Sequence, residues 1–279
     1  MVLAIDIGGT YTKYGYVQGC EVHDKGKWKT VFSFEQLVKK IESRVRDGVE
    51  RIAISSGGFW DSNGVCRGYE TIGEMRTHNL VRALKEKYAL PVTIQNDARC
   101  ALLCERAYGA LRGCCNAALF VLGSSVGSAV LVNGSLYEGA HKKAGMFFKM
   151  PESTEPYTYE QAANTVRQAR LYREQFALPD CNMRYIEERA RGGEPVARDI
   201  LQKYACAVSK KLLYARLTYD PEKIVLGGGI ANSEGILADI LEEYQKLLTA
   251  IEEPDDIPIV KTAFGEDSNL IGAALEECI

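Results

Sequence analysis

The sequence predicts an α/β fold built as two mixed domains. Three observations carry that reading. Short apolar, β-branched runs alternate with amphipathic helical stretches. Glycine clusters follow several of those runs. The order strand, glycine turn, strand occurs at residues 3–17 and again at 117–132, which marks an internal duplication.

The elements follow in order. Residues 3–7 read as a strand, Gly8-Gly9-Thr10 as a turn, and residues 11–17 as the returning strand of a hairpin. Residues 34–47 carry helical spacing. Residues 51–56 form a strand that runs into Gly57-Gly58. Residues 80–88 make a short amphipathic helix, stopped at Leu90-Pro91. A strand at 92–95 leads into Asn96-Asp97 and a helix at 98–107. The second pass opens with a strand at 117–122, a glycine-rich turn at 123–128 and a strand at 129–132, with a hairpin signal at Asn133-Gly134. Helices are expected at 159–176, 184–191 and 194–216. A strand at 223–226 then enters Gly227-Gly228-Gly229, repeating the step at Gly57-Gly58. A helix at 233–249, a strand at 257–260 and a helix at 270–277 close the chain. No low-complexity linker separates the halves, so residues 109–113 mark the crossing, and a cleft between the domains is the expected ligand site.

Composition excludes several classes. The 279 residues are 46% hydrophobic and 25% charged, ordinary globular usage. The balance of 34 basic against 37 acidic residues gives no charge signature for nucleic acid or acidic membranes. No apolar run reaches the length of a membrane helix, and the apolar start before Asp6 is too short for a secretory signal, so a cytoplasmic protein is expected. Nine cysteines, an odd number, fit free thiols in a reducing compartment. Cys100 and Cys104 share a helical face, but none of His23, His78 and His141 has metal-ligand spacing to them, so buried thiols rather than zinc ligands are expected.

The chemistry concentrates in the glycine turns and one carboxylate. Turns rich in glycine, serine and threonine can aim backbone N–H groups at an anion. Glycine there allows positive φ and close backbone approach. Thr10 and Ser124 add hydroxyl donors, Lys13 adds positive charge, and Asp6 at the strand end can hold Mg²⁺ through water. Either hairpin turn alone is ordinary; two in corresponding places, with a triple glycine after a strand, point to phosphate. No Walker-type lysine loop exists, and no G-x-G-x-x-G opens a βαβ unit, because a strand continues after Gly127. Asp97 opens a helix, so it reads either as an N-cap or as a general base that takes a hydroxyl proton during phosphoryl transfer.

These residues resemble the ROK family of sugar kinases, of the actin–hexokinase–Hsp70 fold, over nearly the whole chain. Residues 6–13 (Asp6-Ile7-Gly8-Gly9-Thr10-Tyr11-Thr12-Lys13) resemble its first phosphate motif. Gln95-Asn96-Asp97-Ala98 resembles its Asn-Asp-Ala signature, which implies Asp97 as catalytic base and Asn96 as a sugar contact. Gly123-Ser124-Ser125-Val126-Gly127-Ser128 resembles the second phosphate motif, with Ser124 where threonine is usual, and residues 132–140 continue that match. Asp220 to Gly229, with Gly227, Gly228 and Gly229, resembles the adenosine segment, and Gly272-Ala273-Ala274 fits the closing helix. The resemblance implies two duplicated actin-like (ribonuclease H-like) domains with an interdomain ATP and sugar cleft. One spans 1–112 with the returning helix 267–279, and the other spans 113–266. It also implies ATP and Mg²⁺ as cofactors and a homodimer.

The departures bear on the substrate. The family's sugar-binding glutamate is Met146 here, and no zinc-ligating histidine or cysteine-rich loop follows. The chain therefore resembles the zinc-less branch that includes β-glucoside kinases. Gly58 and Asn79 stand where the family presents groups to the sugar. His141, Lys142 and Lys143 read as a solvated loop or as a site for an anionic sugar. The leading expectation is an ATP-dependent kinase acting on a sugar hydroxyl, the 6-OH by resemblance. The alternative is a sugar- or nucleotide-binding regulator with weak or no kinase activity, which Met146 motivates.

Overall fold

A computed structural model describes residues 1–151 and 162–275. Residues 159–161 of the helix expected from 159, residues 276–277 of the one expected to 277, and Cys278 lie outside the described residues; within them the first of these helices begins only at Thr165 and the other ends at Ala273. The chain divides into two compact units, one of Met1–Gly113, Leu136–Ala144 and Thr262–Ile279, the other of Cys114–Ser135 and Gly145–Lys261. The sequence boundaries near 112 and 266 miss the segment Leu136–Ala144. It sorts with the first unit because Leu136 packs against a cluster of Ala53, Cys100 and Leu103, and Glu138 pairs with Arg99.

The first unit holds a sheet ordered β3-β2-β1-β4-β5, from β1 (Val2–Ile7), β2 (Tyr11–Gln18), β3 (Glu21–Lys29), β4 (Arg51–Ser56) and β5 (Val92–Asn96). β1 pairs antiparallel with β2 and parallel with β4, which pairs parallel with β5. Alternation sorts the faces. Leu3, Ile5 and Ile7 of β1 join Ile52, Ile54, Val92 and Ile94 in a core closed by α1 (Phe34–Glu42) and α2 (Leu80–Tyr88). The other face carries small residues, Ala4 and Ala53, against α3 (Asp97–Tyr108) and α8 (Ser268–Ala273). Small side chains let α8 approach closely: a Cβ on Gly272 would overlap the Cys100 carbonyl of α3.

The second unit repeats the plan. Its sheet order is β10-β9-β6-β7-β8, from β6 (Ala117–Leu122), β7 (Val126–Val132), β8 (Ser135–Leu136), β9 (Lys223–Gly227) and β10 (Ile259–Lys261). β6 is antiparallel to β7 and parallel to β9, and β9 is parallel to β10, so β6, β7, β9 and β10 match β1, β2, β4 and β5 in order and sense. Phe120, Leu122, Ile224 and Leu226 meet Tyr204, Val208 and Leu212 of α6 (Pro195–Tyr219) and Ile240 and Tyr244 of α7 (Glu234–Ala250) in one core. α4 (Thr165–Gln175) and α5 (Met183–Arg191) pack on it through Ala169, Tyr172, Met183 and Ile186.

Other details differ from the sequence reading. β3 was not legible, because it is an exposed edge strand rich in charge, a common protection of sheet edges. The turn expected over 123–128 spans only Gly123, Ser124 and Ser125, since β7 starts at Val126. The first helix stops at Glu42 rather than running to 47. No helix among the described residues is long and apolar enough to cross a membrane.

Candidate active site

In the first unit, β1, β4 and β5 are parallel, so their carboxyl ends share one edge of the sheet. Ile7 pairs with Ser56, and Ser56 with Asn96. Open α/β sheets bind ligands at such an edge. Residues 8–10, Gly57-Gly58 and Asn96-Asp97 all follow these strand ends.

Asp6 points to the same face as Ala4, toward α8, and is only 7% exposed. Its Oδ1 accepts from Ser55 Oγ at 2.9 Å and from Asn269 Nδ2 at 3.1 Å. Burial raises its carboxyl above the usual range, against the lowering effects of Ser55, Asn269 and the charge of Lys13. Lys13 sits opposite Asp6 in the β1–β2 register, and its amine pairs with Glu266 at 3.0 Å. The turn at 8–10 is pinned by Thr30, whose Oγ1 donates to the Gly8 carbonyl at 2.7 Å and whose N–H donates to the Thr10 carbonyl.

Asp97 is not the helix cap. Asn96 takes that position, its Oδ1 accepting the Arg99 N–H at 3.3 Å and its Nδ2 donating to the Gly58 carbonyl at 3.0 Å. Asp97 is thereby the first residue of α3, half-buried, with the Ala98 N–H donated to its Oδ1 at 2.8 Å. Burial first, and then the negative charge of Asp6, raise its carboxyl to about 6. A carboxylate with that value is a competent base near neutral pH. Gly58, at φ 110°, needs its missing side chain: a Cβ there would press on Glu70 Cα at 3.1 Å and the Gly68 carbonyl at 3.2 Å.

A network that the sequence reading did not single out surrounds this edge. Arg99, 2% exposed, donates to Glu138 Oε1 at 2.8 Å and to the Lys142 carbonyl at 3.0 Å, and lies over the Phe59 ring. Gln95 donates to Glu138 at 3.3 Å and accepts the Asn96 N–H at 2.8 Å. Lys142 pairs with Glu138, so it is part of this cluster rather than a free loop cation. The sequence signal was an arginine in the otherwise small and apolar stretch 98–104. Asn79 is engaged elsewhere: it caps α2 through the Arg82 N–H at 2.9 Å, and its Nδ2 donates to the Asn63 carbonyl.

In the second unit, Gly123 follows β6 and the turn closes by the Gly123 N–H donating to the Ser125 carbonyl at 3.0 Å. The start of α4 props it, with Thr165 Oγ1 donating to the Gly123 carbonyl at 2.9 Å and the Thr165 N–H to the Ser124 carbonyl at 3.1 Å. Val121 pairs with Gly127 on one side and Gly227 on the other, so the two glycine-rich segments flank one residue. Gly228 has φ 88°, and a Cβ would overlap the Leu122 peptide. The positive φ expected of the glycine turns thus holds at Gly58 and Gly228, but not at Gly8, Gly9, Gly123, Gly127 or Gly229. Around Gly9, Gly123 and Gly229 nothing lies within 4 Å of where a Cβ would be, so these glycines leave room instead. A cavity of about 510 Å³ opens beside Gly229, lined also by Ile230, Ser233, Arg184 and Arg191. Met146, half-buried, belongs to this unit and heads the single helical turn Phe147–Lys149.

The model of the ROK family matches residues 2–275. The chain is 25% identical to a beta-glucoside kinase of Klebsiella pneumoniae over 98% of its own length and 94% of that protein's. It is 30% identical to the bifunctional enzyme NanE/NanK of Brucella suis, again over 98% of its own length but 52% of that protein's. Among solved structures it is similar to a ROK family protein from Streptococcus pneumoniae in complex with sucrose, with a TM-score of 0.84, 27% identity, and 98% and 96% of the two chains covered.

Proposed function

Since the chain belongs to the ROK family, we propose that it is a sugar kinase, transferring the terminal phosphoryl group of ATP to a primary hydroxyl of a hexose, hexosamine or glycoside. Asp97 is the general base. The observation that carries this reading is the state of that carboxylate: freed from capping by Asn96, half-buried at a strand end, and raised to about 6. The hydroxyl proton passes to Asp97 as the sugar oxygen attacks the γ-phosphorus, and ADP leaves with the electron pair of the broken P–O bond. Asn96 orients the sugar beside the base. Its amide is already held by Gly58 and the Arg99 N–H, so it presents a fixed group rather than a mobile one.

The residues present fit Mg²⁺ and a nucleotide. Asp6 offers a hard oxygen, and among the described residues both of its donors reach Oδ1 while none reaches Oδ2. Asp6, buried, and Asp97, half-buried, carry charge of one sign, which a divalent cation would relieve. When bound, Mg²⁺ supplies charge neutralisation to the phosphate oxygens. In the first unit, the open space over Gly9 suits phosphate approach to backbone N–H groups, with Thr10 and Lys13 as further donors; in the second, the open space over Gly123 does so with Ser124, and the cavity beside Gly229 suits adenosine.

The test is ADP release over a panel of glucose, hexosamines and β-glucosides, for the wild type and Asp97→Asn. Turnover on at least one sugar, lost in the variant, is expected. Unchanged turnover in the variant would overturn the base assignment. Nucleotide binding without turnover on any sugar would replace the kinase by a ligand-binding regulator.

A further inference from the structure

We infer that Asn269 is a positioning residue for Asp6, fixing which oxygen of that carboxylate is left for the hydrated cation. The inference rests on the kinase reading and concerns one residue that the family motifs above do not include.

Two neutral donors, Ser55 Oγ and Asn269 Nδ2, converge on the same oxygen of Asp6. A carboxylate with both donors on Oδ1 is turned about its χ2 axis into one orientation, and Oδ2 keeps its lone pairs. Ser55 comes from β4, directly beside Asp6 in the parallel register, so its reach follows from the sheet. Asn269 comes from far along the chain, so its reach depends on how α8 is held.

α8 is held at both ends within the first unit. At its start, Ser268 Oγ donates to Glu105 Oε1 at 3.4 Å. Glu105 is fully buried in α3 and also accepts the N–H groups of Ala263 at 2.9 Å, Phe264 at 3.2 Å and Ala110 at 2.8 Å. The segment leading into α8 is therefore bolted to α3 by one carboxylate. At its end, Gly272 lies backbone-to-backbone against Cys100, where even a methyl group has no room. Those two fixings restrict sliding and rolling of α8, and Asn269 meets Asp6 at 3.1 Å. This is the pattern expected of a group whose orientation matters: the contacting side chain is locked by its own supports.

The chemistry selects asparagine. An aspartate at 269 would place a like charge on Asp6. A lysine would neutralise Asp6 and compete with the cation. A neutral amide orients without competing.

The test compares Asn269→Ala with Asn269→Gln, which keeps a donor. Mn²⁺ binding is followed by electron paramagnetic resonance in the presence of a non-hydrolysable ATP analogue, a readout that requires no turnover. Loss of a hydrogen bond to a charged group is expected to weaken Mn²⁺ binding about tenfold in Asn269→Ala, with much of it restored in Asn269→Gln. In steady-state assays the Mg²⁺ requirement should rise by a similar factor while the sugar KM stays constant. Unchanged Mn²⁺ affinity in a folded Asn269→Ala protein would overturn the inference, as would a loss confined to the sugar KM. Failure of the wild type to phosphorylate any sugar would overturn the kinase reading, yet leave the Mn²⁺ comparison standing.

Discussion

Replacing Asp97 with asparagine should make the protein less active and more stable at once. The carboxyl is raised from 3.8 to about 6 by burial and by Asp6. A rise of about two pK units, at about 1.4 kcal/mol each, means that ionised Asp97 costs the folded state roughly 3 kcal/mol. The sign follows from proton counting. Between the two values the folded state holds the proton and the unfolded state does not, so stability falls as pH rises through that window and stays low above about pH 6. Asparagine removes the charge and keeps an oxygen to accept the Ala98 N–H. Calorimetry at about pH 8 should then show Asp97→Asn melting roughly 5 °C above the wild type, with the gap closing toward about pH 4 as the wild-type carboxyl protonates. Turnover on the preferred sugar should fall by roughly a hundredfold or more, and wild-type kcat/KM should lose its activity below about pH 6. A variant that melts lower than the wild type at about pH 8 would refute the reasoning, since Asp97 would then be making contacts worth more than its desolvation.

Three further outcomes follow from the same geometry. Gly228→Ala should destabilise the second unit by at least about 2 kcal/mol, because φ 88° and the overlap with the Leu122 peptide act together; a thermal melt checks it. Glu105→Gln should cost about 2–4 kcal/mol, since an amide nitrogen would face N–H groups that now donate to a carboxylate oxygen, and urea unfolding reads the loss. Thr165→Val removes the hydroxyl that holds the Gly123 carbonyl, so the ATP KM should rise several-fold with the sugar KM unchanged; equal shifts in both would speak against a role in the phosphate turn.

The sequence disclosed the parts whose periodicity is strong. β1, β4, β6 and β9 stand where apolar runs meet glycine, and the duplication is legible because each pass repeats strand, glycine turn, strand. Residues that act through distant partners left no such trace. Asn269 and Asp6 are joined only by folding, as are Arg99 and Glu138, and no local pattern connects their positions. The competition between Asn96 and Asp97 for the cap was also undecided in sequence, because both residue types cap helices well. It was settled by the geometry of the β5–α3 junction, where the strand extends through Asn96 and leaves it the extended φ of −61° and ψ of 140° that a cap adopts. Asn79, equally plausible as a polar loop group, proved to be a cap for the same reason.

The division of the first unit into three stretches of chain has a consequence for synthesis. Its sheet is made before the second unit, but the helix that packs on Ala4 and Ala53, and the asparagine that steadies Asp6, are made after it. The unit begun before the other is thus finished after it. Until then α3 covers the small-residue face of its sheet without α8, and contacts of such long sequence separation form slowly. Asp6 should acquire its full environment only once α8 has been made. A nascent chain stalled before residue 262 should therefore be able to protect the second unit from protease while leaving the first unit open to it.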